Sequence, residues 1–378
     1  MANIESVVDI PPGTYALHII LPLGISFHTF QSMSYTIDVY RGTGKATRSL
    51  LDFSLFVMFF PQLVAGPIVR AKTFFPELEN WTVPSETFII RGVSLIFIGL
   101  IKKAVFADHF ALISDAYFNN LSTHPGFSSA LAGVVAFAMQ IFFDFSGYTD
   151  VARGCAYLLG WDFPINFARP YLSLNITEFW RRWHISLSSW LRDYLYISLG
   201  GNRGGVFKTY RNLFITMVLG GFWHGASWNF LIWGAFHGGM LTFHRLIQVF
   251  YTWTGLGSLA RLNFFTPVKV VFTFAVISIG WIFFRAATFS DSVYVLKNIF
   301  NCADALPNVV GPSLWHSGAT FMLLLSVVFA VLEEKYSIVE RFNEASLSIK
   351  IAGYTFCLLI LQIFSYSKKD IPFIYFQF

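Results

Sequence analysis

Apolar residues along this chain fall in long blocks, not in a two-residue alternation. The blocks run roughly over 15–37, 51–69, 88–105, 128–145, 264–284, 318–332 and 349–364, each bounded by polar sequence. A helix crosses a bilayer core with about 20 mainly apolar residues, so each block predicts a membrane span. Between the fourth and fifth lies a 32-residue apolar tract, 212–243. At the helical rise it would extend about 48 Å, too long for one upright span. Gly220-Gly221 and Gly225 predict its division into two spans, or into a broken helix with a polar turn inside the protein.

One segment follows another rule. Residues 178–199 read EFWRRWHISLSSWLRDYLYISL, and the charges at 178, 181, 182, 192 and 193 make a simple crossing expensive. Trp180, Trp183, His184, Leu187, Trp190, Leu191 and Tyr194 recur at i, i+3, i+4 and i+7 and share one helical face. Arg181, Arg182, Ser188, Ser189 and Arg192 fall mostly elsewhere. The pattern predicts an amphipathic helix, interfacial or re-entrant. A surface-lying anchor explains the periodicity equally well, and His184 on the aromatic face is what fits it badly. The glycine-rich turn 200–205, containing Asn202 and Arg203, would let backbone approach a ligand closely.

Composition narrows the class. Apolar residues make up 55% and charged residues 12%, half the share of a soluble domain. Mean hydropathy is +0.57. Disorder is excluded, since it needs low hydrophobicity and high charge. Cys155, Cys302 and Cys357 are too few and too scattered for a disulfide framework or a zinc site, and no metal is expected. The net charge of +5 is what loops on the cytoplasmic side of a membrane protein carry, densest over 181–211, so no nucleic-acid partner is implied. The first twenty residues lack the basic start of a signal peptide and read like the interior of a longer protein. The expected fold is all-α: a polytopic transmembrane helical bundle in membrane lipids, one domain over 1–378.

Chemistry concentrates in VLGGFWHGASWNFLIWGAFHGGM, 218–240. An ionisable group at membrane depth is a functional candidate by default, and His224 sits well inside the tract. The small residues around it permit close helix packing or open room for a substrate. His237 follows 13 positions later and would point about 140° away on a continuous helix, so the two line one cavity only if the helix breaks. Burial favours neutral imidazole, which can take a proton from a hydroxyl attacking an ester or thioester. No GxSxG elbow offers a serine nucleophile. Asp144, Asp150 and Arg153, in FFDFSGYTDVARG, suit either pairing across the bundle or a substrate channel.

LPLGISFHTFQSMSYTIDVYRG at 21–42, FFPQLVAGPIVR at 59–70, DFSGYTDVARGCAYLLGWDFPINFARPY at 144–171, FWRRWHISLSSWLRDYLYISLGGNRGG at 179–205, LGGFWHGASWNFLIWGAFHG at 219–238 and the closing PFIYFQF at 372–378 together resemble the membrane-bound O-acyltransferase family, in particular its bacterial alginate O-acetyltransferase (AlgI-like) branch. The resemblance implies that His224 is catalytic and that His184, 40 residues before it, assists. His237 matches a further histidine of that branch. It implies transfer of an acetyl group from a cytoplasmic thioester such as acetyl-CoA, with no bound cofactor, toward hydroxyls of an exported polysaccharide. An SGNH-type periplasmic partner and an inner-membrane location go with it. Arg182, Asp193, Asn202 and Arg203 are the substrate-contact candidates. D-alanyl transfer to teichoic acid and peptidoglycan O-acylation are neighbouring readings; a transporter or an inactive form are the readings outside that class. The resemblance also implies hydrophobic segments upstream of LPLGISF, and Phe and Pro where His28 and Ser198 stand.

Overall fold

A computed structural model describes residues 24–255, 266–301, 317–365 and 373. The start of the first apolar block, residues 264–265, Cys302 and all of the closing motif but Phe373 lie outside them. The described residues are all-α, with no β-strand. The helices are α1 (Ile25–Tyr40), α2 (Leu50–Met58), α3 (Ala71–Glu79), α4 (Glu86–Ile101), α5 (Asp108–Phe118), α6 (Phe127–Leu158), α7 (Ile176–Arg182) and α8 (Ile185–Trp190). They continue with α9 (Val206–His224), α10 (Trp228–Thr254), α11 (Thr266–Arg285), α12 (Phe289–Phe300), α13 (Ser317–Tyr336), α14 (Ile338–Glu344) and α15 (Leu347–Phe364).

Among the described residues, α6, α11, α13 and α15 are long and apolar enough to cross a membrane. The central apolar stretch of α6 is 83% buried, against 6% in α13 and none in α15. Helix α6 is thus the axis of the body, and α13 and α15 leave most of their apolar surface outward. The block 51–69 is not one span. Helix α2 stops at Met58, and Pro61, which has no N–H to give, sits in a short 3-10 turn at Phe60–Gln62. Nor does the helical path stop at Lys102 and Lys103, within the block 88–105. A π-helical turn, Lys102–Ala107, joins α4 to α5, and both lysines meet acids. Lys103 reaches Asp108 at 2.8 Å and Asp144 of α6 at 2.9 Å, and Lys102 reaches Asp150 at 2.6 Å. Acid and base therefore pair between α4–α5 and α6, while Arg153 instead donates to the Phe163 carbonyl at 2.9 Å.

Two glycine seams set the helix spacing. On α4 and α6, a Cβ on Gly92 would lie 2.8 Å from the Gly154 carbonyl oxygen, and one on Gly99 would lie 2.5 Å from that of Gly147. The rising and falling numbers make the pair antiparallel, with backbone against backbone. Helices α9 and α10 form a second antiparallel pair, in which a Cβ on Gly221 would lie 2.2 Å from the Phe230 oxygen and one on Gly234 2.4 Å from the Met217 oxygen. The long tract thus divides as expected, but at Gly225–Ser227 alone. Gly220 and Gly221 are helical, and the Ser227 hydroxyl caps α10 by accepting from the Phe230 N–H.

The segment 178–199 departs further from expectation. It is not one amphipathic helix: α7 ends at Arg182, α8 starts at Ile185, and a second π-helical turn, Leu191–Tyr196, follows. The face read from the sequence is nonetheless the inner one, with Trp183, His184, Leu187, Trp190 and Tyr194 buried and Arg181 and Arg192 exposed. The break falls at His184, whose φ of 42° is left-handed and rare for a residue with a Cβ.

Because Gly234 faces backbone, Gly234→Leu should force α9 and α10 apart and lower the melting temperature of the purified protein, a cost of about 1–3 kcal/mol or more. Gly239 of the same helix has nothing within 4 Å of a Cβ, so Gly239→Ala should leave melting unchanged or raise it slightly. Scanning fluorimetry on the two variants checks the contrast.

Candidate active site

His184 occupies the elbow between α7 and α8. The loop 166–168 runs beside it: the Ala168 N–H donates to the Arg182 carbonyl and the Ile185 N–H to the Asn166 carbonyl, both at 2.9 Å. The Asn166 side-chain oxygen lies 3.1 Å from His184 Nδ1 and accepts from the Ser186 N–H at 3.1 Å and the Ser186 hydroxyl at 3.0 Å. Phe145 of α6 meets the imidazole edge-on at 4.7 Å between centroids, and Phe167 lies at 6.3 Å. His184 is 1% exposed. Burial first, and the nearby His224 second, hold its imidazole well below the ordinary histidine value, so it is neutral at physiological pH.

His224 is the last residue of α9, half-buried, with its ring among Trp223, Trp233 and Phe284 at 4.7–5.1 Å. It and His184 are close enough to interact electrostatically. His237, one helix on, is fully buried. Its ring contacts Trp180 and Trp233 at 5.1 and 4.9 Å. A Cβ on Gly280 of α11 would come within 2.5 Å of its Nε2. The indole of Trp233 touches both His224 and His237, so the break after His224 does bring the second and third histidines to a common side chain.

A cleft of about 290 Å³ opens beside this elbow, lined by Arg70, Lys72, Thr73, Ser186, Ser189, Arg192 and Asp193 among others. Ser186 belongs both to its wall and to the hydrogen bonds around Asn166. Asp193 is tied to Arg70 at 2.5 Å and Arg192 at 2.6 Å. Burial pushes its carboxyl up, but hydrogen bonds from Arg192 and Arg70 outweigh that and hold it below the ordinary value. Of the four candidate substrate contacts, Asp193 alone lines this cleft. Arg182 pairs with Glu178 at 2.8 Å and Glu334 of α13 at 3.1 Å, in a cluster where Arg169 also meets Glu334. Asn202 accepts from the Tyr196 hydroxyl and Arg203 is exposed, both in the glycine-rich turn. Ser198 accepts from Arg41 at 2.7 Å and donates to the Tyr194 carbonyl at 2.6 Å, a tie that proline could not make. Asn166 and Ser186 carry no periodic signal in the sequence; Arg70 and Lys72 stand there just past the apolar block 51–69.

The chain belongs to the MBOAT, membrane-bound O-acyltransferase family, whose pattern matches residues 45–287. It is 47% identical to the "Probable alginate O-acetylase AlgI" of Pseudomonas putida, over 76% of this chain and 57% of that protein. It is 34% identical to the peptidoglycan O-acetyltransferase of Helicobacter pylori, over 96% and 75%. With the teichoic acid D-alanyltransferase of Bacillus subtilis it shares 31% identity, over 71% and 69%. The chain spans little more than half the length of the Pseudomonas putida relative. Family and apolar helices together make it a multi-pass protein of the bacterial inner membrane.

A carboxyl held below its unfolded value contributes stability above that value and loses the contribution as pH falls through the folded one. The melting temperature of the wild type should therefore exceed that of Asp193→Asn by a constant margin above about pH 4. The margin should shrink below it. Melting curves of both proteins between pH 3 and 7 test this.

Proposed function

We propose that the chain carries the acyl-transfer machinery of an O-acetyltransferase acting on an exported, alginate-like polysaccharide. The observation that carries the reading is a buried His184 at the α7–α8 elbow, one residue from a cleft bordered by Arg70, Lys72 and Arg192, with His224 near enough to bear on its charge. The donor is a cytoplasmic acyl thioester such as acetyl-CoA, a substrate and not a resident cofactor. Basic side chains at the cleft suit its phosphates. An acceptor hydroxyl attacks the thioester carbonyl while a neutral imidazole takes its proton. The C–S bond breaks, the C–O bond forms, and the same proton passes to the leaving thiolate. His224 is the base in this scheme and His184 supports it. His237, across the Trp233 indole, shapes the wall of the site. The acceptor side fits an SGNH-type periplasmic protein that hands the acetyl group to the polymer. Acetyl transfer is preferred to D-alanyl transfer because identity is higher to the alginate O-acetylase than to the teichoic acid enzyme.

Membranes containing the chain, supplied with acetyl-labelled acetyl-CoA, should release or transfer label. His224→Ala at equal membrane level should lower the rate by about 10²–10⁴, and His184→Ala by a similar factor. Equal label movement in wild type and His224→Ala would sink the mechanism. Movement of label only from a D-alanyl carrier would replace the donor.

A further inference from the structure

We infer that Asn166 is the positioning residue of His184, fixing the imidazole in the Nδ1–H tautomer so that Nε2 is the basic nitrogen. The argument begins at Ser186. Its backbone N–H can only donate, and it meets the Asn166 side chain at 3.1 Å. The atom it meets is therefore the amide oxygen and not the amide nitrogen, which is itself a donor. The Ser186 hydroxyl donates to the same oxygen at 3.0 Å. That oxygen has no proton to give, so His184 Nδ1, 3.1 Å away, must supply one. A neutral imidazole carries a single N–H. Once it is spent on Asn166, Nε2 is left with its lone pair, and Nε2 has no hydrogen-bond partner among the described residues.

The backbone is organised to the same end. Asn166 is 2% exposed, and its carbonyl receives the Ile185 N–H. One residue thus holds both the main chain after His184 and the ring of His184 itself. A left-handed residue with a Cβ costs of order 1–3 kcal/mol and persists only where its surroundings over-determine it. Here three hydrogen bonds to one side-chain oxygen do so. The rings packed on the imidazole, Phe145 of α6 and Phe167, are uncharged, and His224 is the titratable group that bears on it. The tautomer is therefore set from the Nδ1 side.

The catalytic consequence rests on the acyl-transfer reading, whereas the tautomer assignment does not. The full chain, labelled with ¹⁵N-histidine and placed in lipid nanodiscs, should give solid-state NMR signals with Nδ1 protonated and Nε2 unprotonated for His184. Loss of the signal in His184→Gln identifies it. Asn166→Leu should mix the tautomers or shift the proton to Nε2. A wild-type Nε2–H signature, or an unchanged signature in Asn166→Leu, overturns the assignment. Should Asn166→Leu fail to accumulate, Asn166→Asp serves: it keeps the acceptor, adds a charge, and should let His184 take its second proton at a pH higher by about one unit or more. An unmoved titration overturns the assignment equally.

In the acetyl-transfer assay, Asn166→Leu should lower kcat about tenfold or more, with KM little changed, because His184 in the wrong tautomer no longer presents a free Nε2 in support of His224. Asn166→Asp should move the acidic limb of the kcat profile to higher pH, a change that a purely structural brace would not produce. A wild type inert toward every acyl donor, yet with the Nδ1–H signature, would sink the proposed activity and leave the role of Asn166 standing. An active wild type whose tautomer ignores Asn166 would do the reverse.

Discussion

Inside an apolar body every loose backbone group must be bonded by the protein itself, since neither water nor lipid can do it. Helix ends are where the loose groups occur, and the candidate site lies between two such ends. At the first, α7 stops and α8 starts around His184, and the main chain of Asn166 takes up the exposed Ile185 N–H. At the second, α9 stops at His224 and the Ser227 hydroxyl takes up the first turn of α10. The first break takes His184 out of helical geometry and the second leaves His224 at a helix end, and each is tolerated because polar partners are at hand. The candidate chemistry sits where regular structure fails, and at each break a nearby oxygen takes up an N–H of the helix that starts there.

The surroundings of the two breaks are aromatic. Trp183, Trp233 and Trp281 pack into one core with Phe179 and Phe284, while Phe145, Leu187 and Trp190 form the neighbouring one. Rings of this size fill space without offering hydrogen bonds across most of their surface. An imidazole among them stays neutral because ionising it would strand a charge. On the other flank, the cleft lining carries Arg70, Lys72 and Arg192 against one carboxylate, Asp193, so a basic surface stands next to an apolar interior.

Much of this was legible in the sequence. The apolar blocks gave the helical class, the i, i+3, i+4 spacing gave the buried face of Trp183, His184 and Trp190, and the apolar tract 212–243 set His224 apart as a candidate. What misled was periodicity taken without backbone chemistry. The same spacing predicted a single helix through His184, because a left-handed elbow leaves no trace in hydrophobic pattern. The block 51–69 has the composition of a span, and Pro61 within it was the available warning. Asn166 could not be found at all by these means. It lies in a loop with no period, and its importance comes from a neighbour 18 residues away. The pairings of Lys102 and Lys103 leave no trace in the sequence either, because their partners, Asp108, Asp144 and Asp150, are supplied only by tertiary packing.

The glycine seam between α4 and α6 has a kinematic meaning. Gly92 and Gly99 stand seven residues apart, as do Gly147 and Gly154, and each glycine is matched to one carbonyl on the facing helix. Two cylinders in such contact can roll slightly about their line of touch. They cannot glide along it, because any axial step brings a side chain up against a carbonyl where a hydrogen atom had been. Helix α6 carries Phe145, the ring that braces His184, and so the height of that ring along the membrane normal is fixed by four residues that have no side chains.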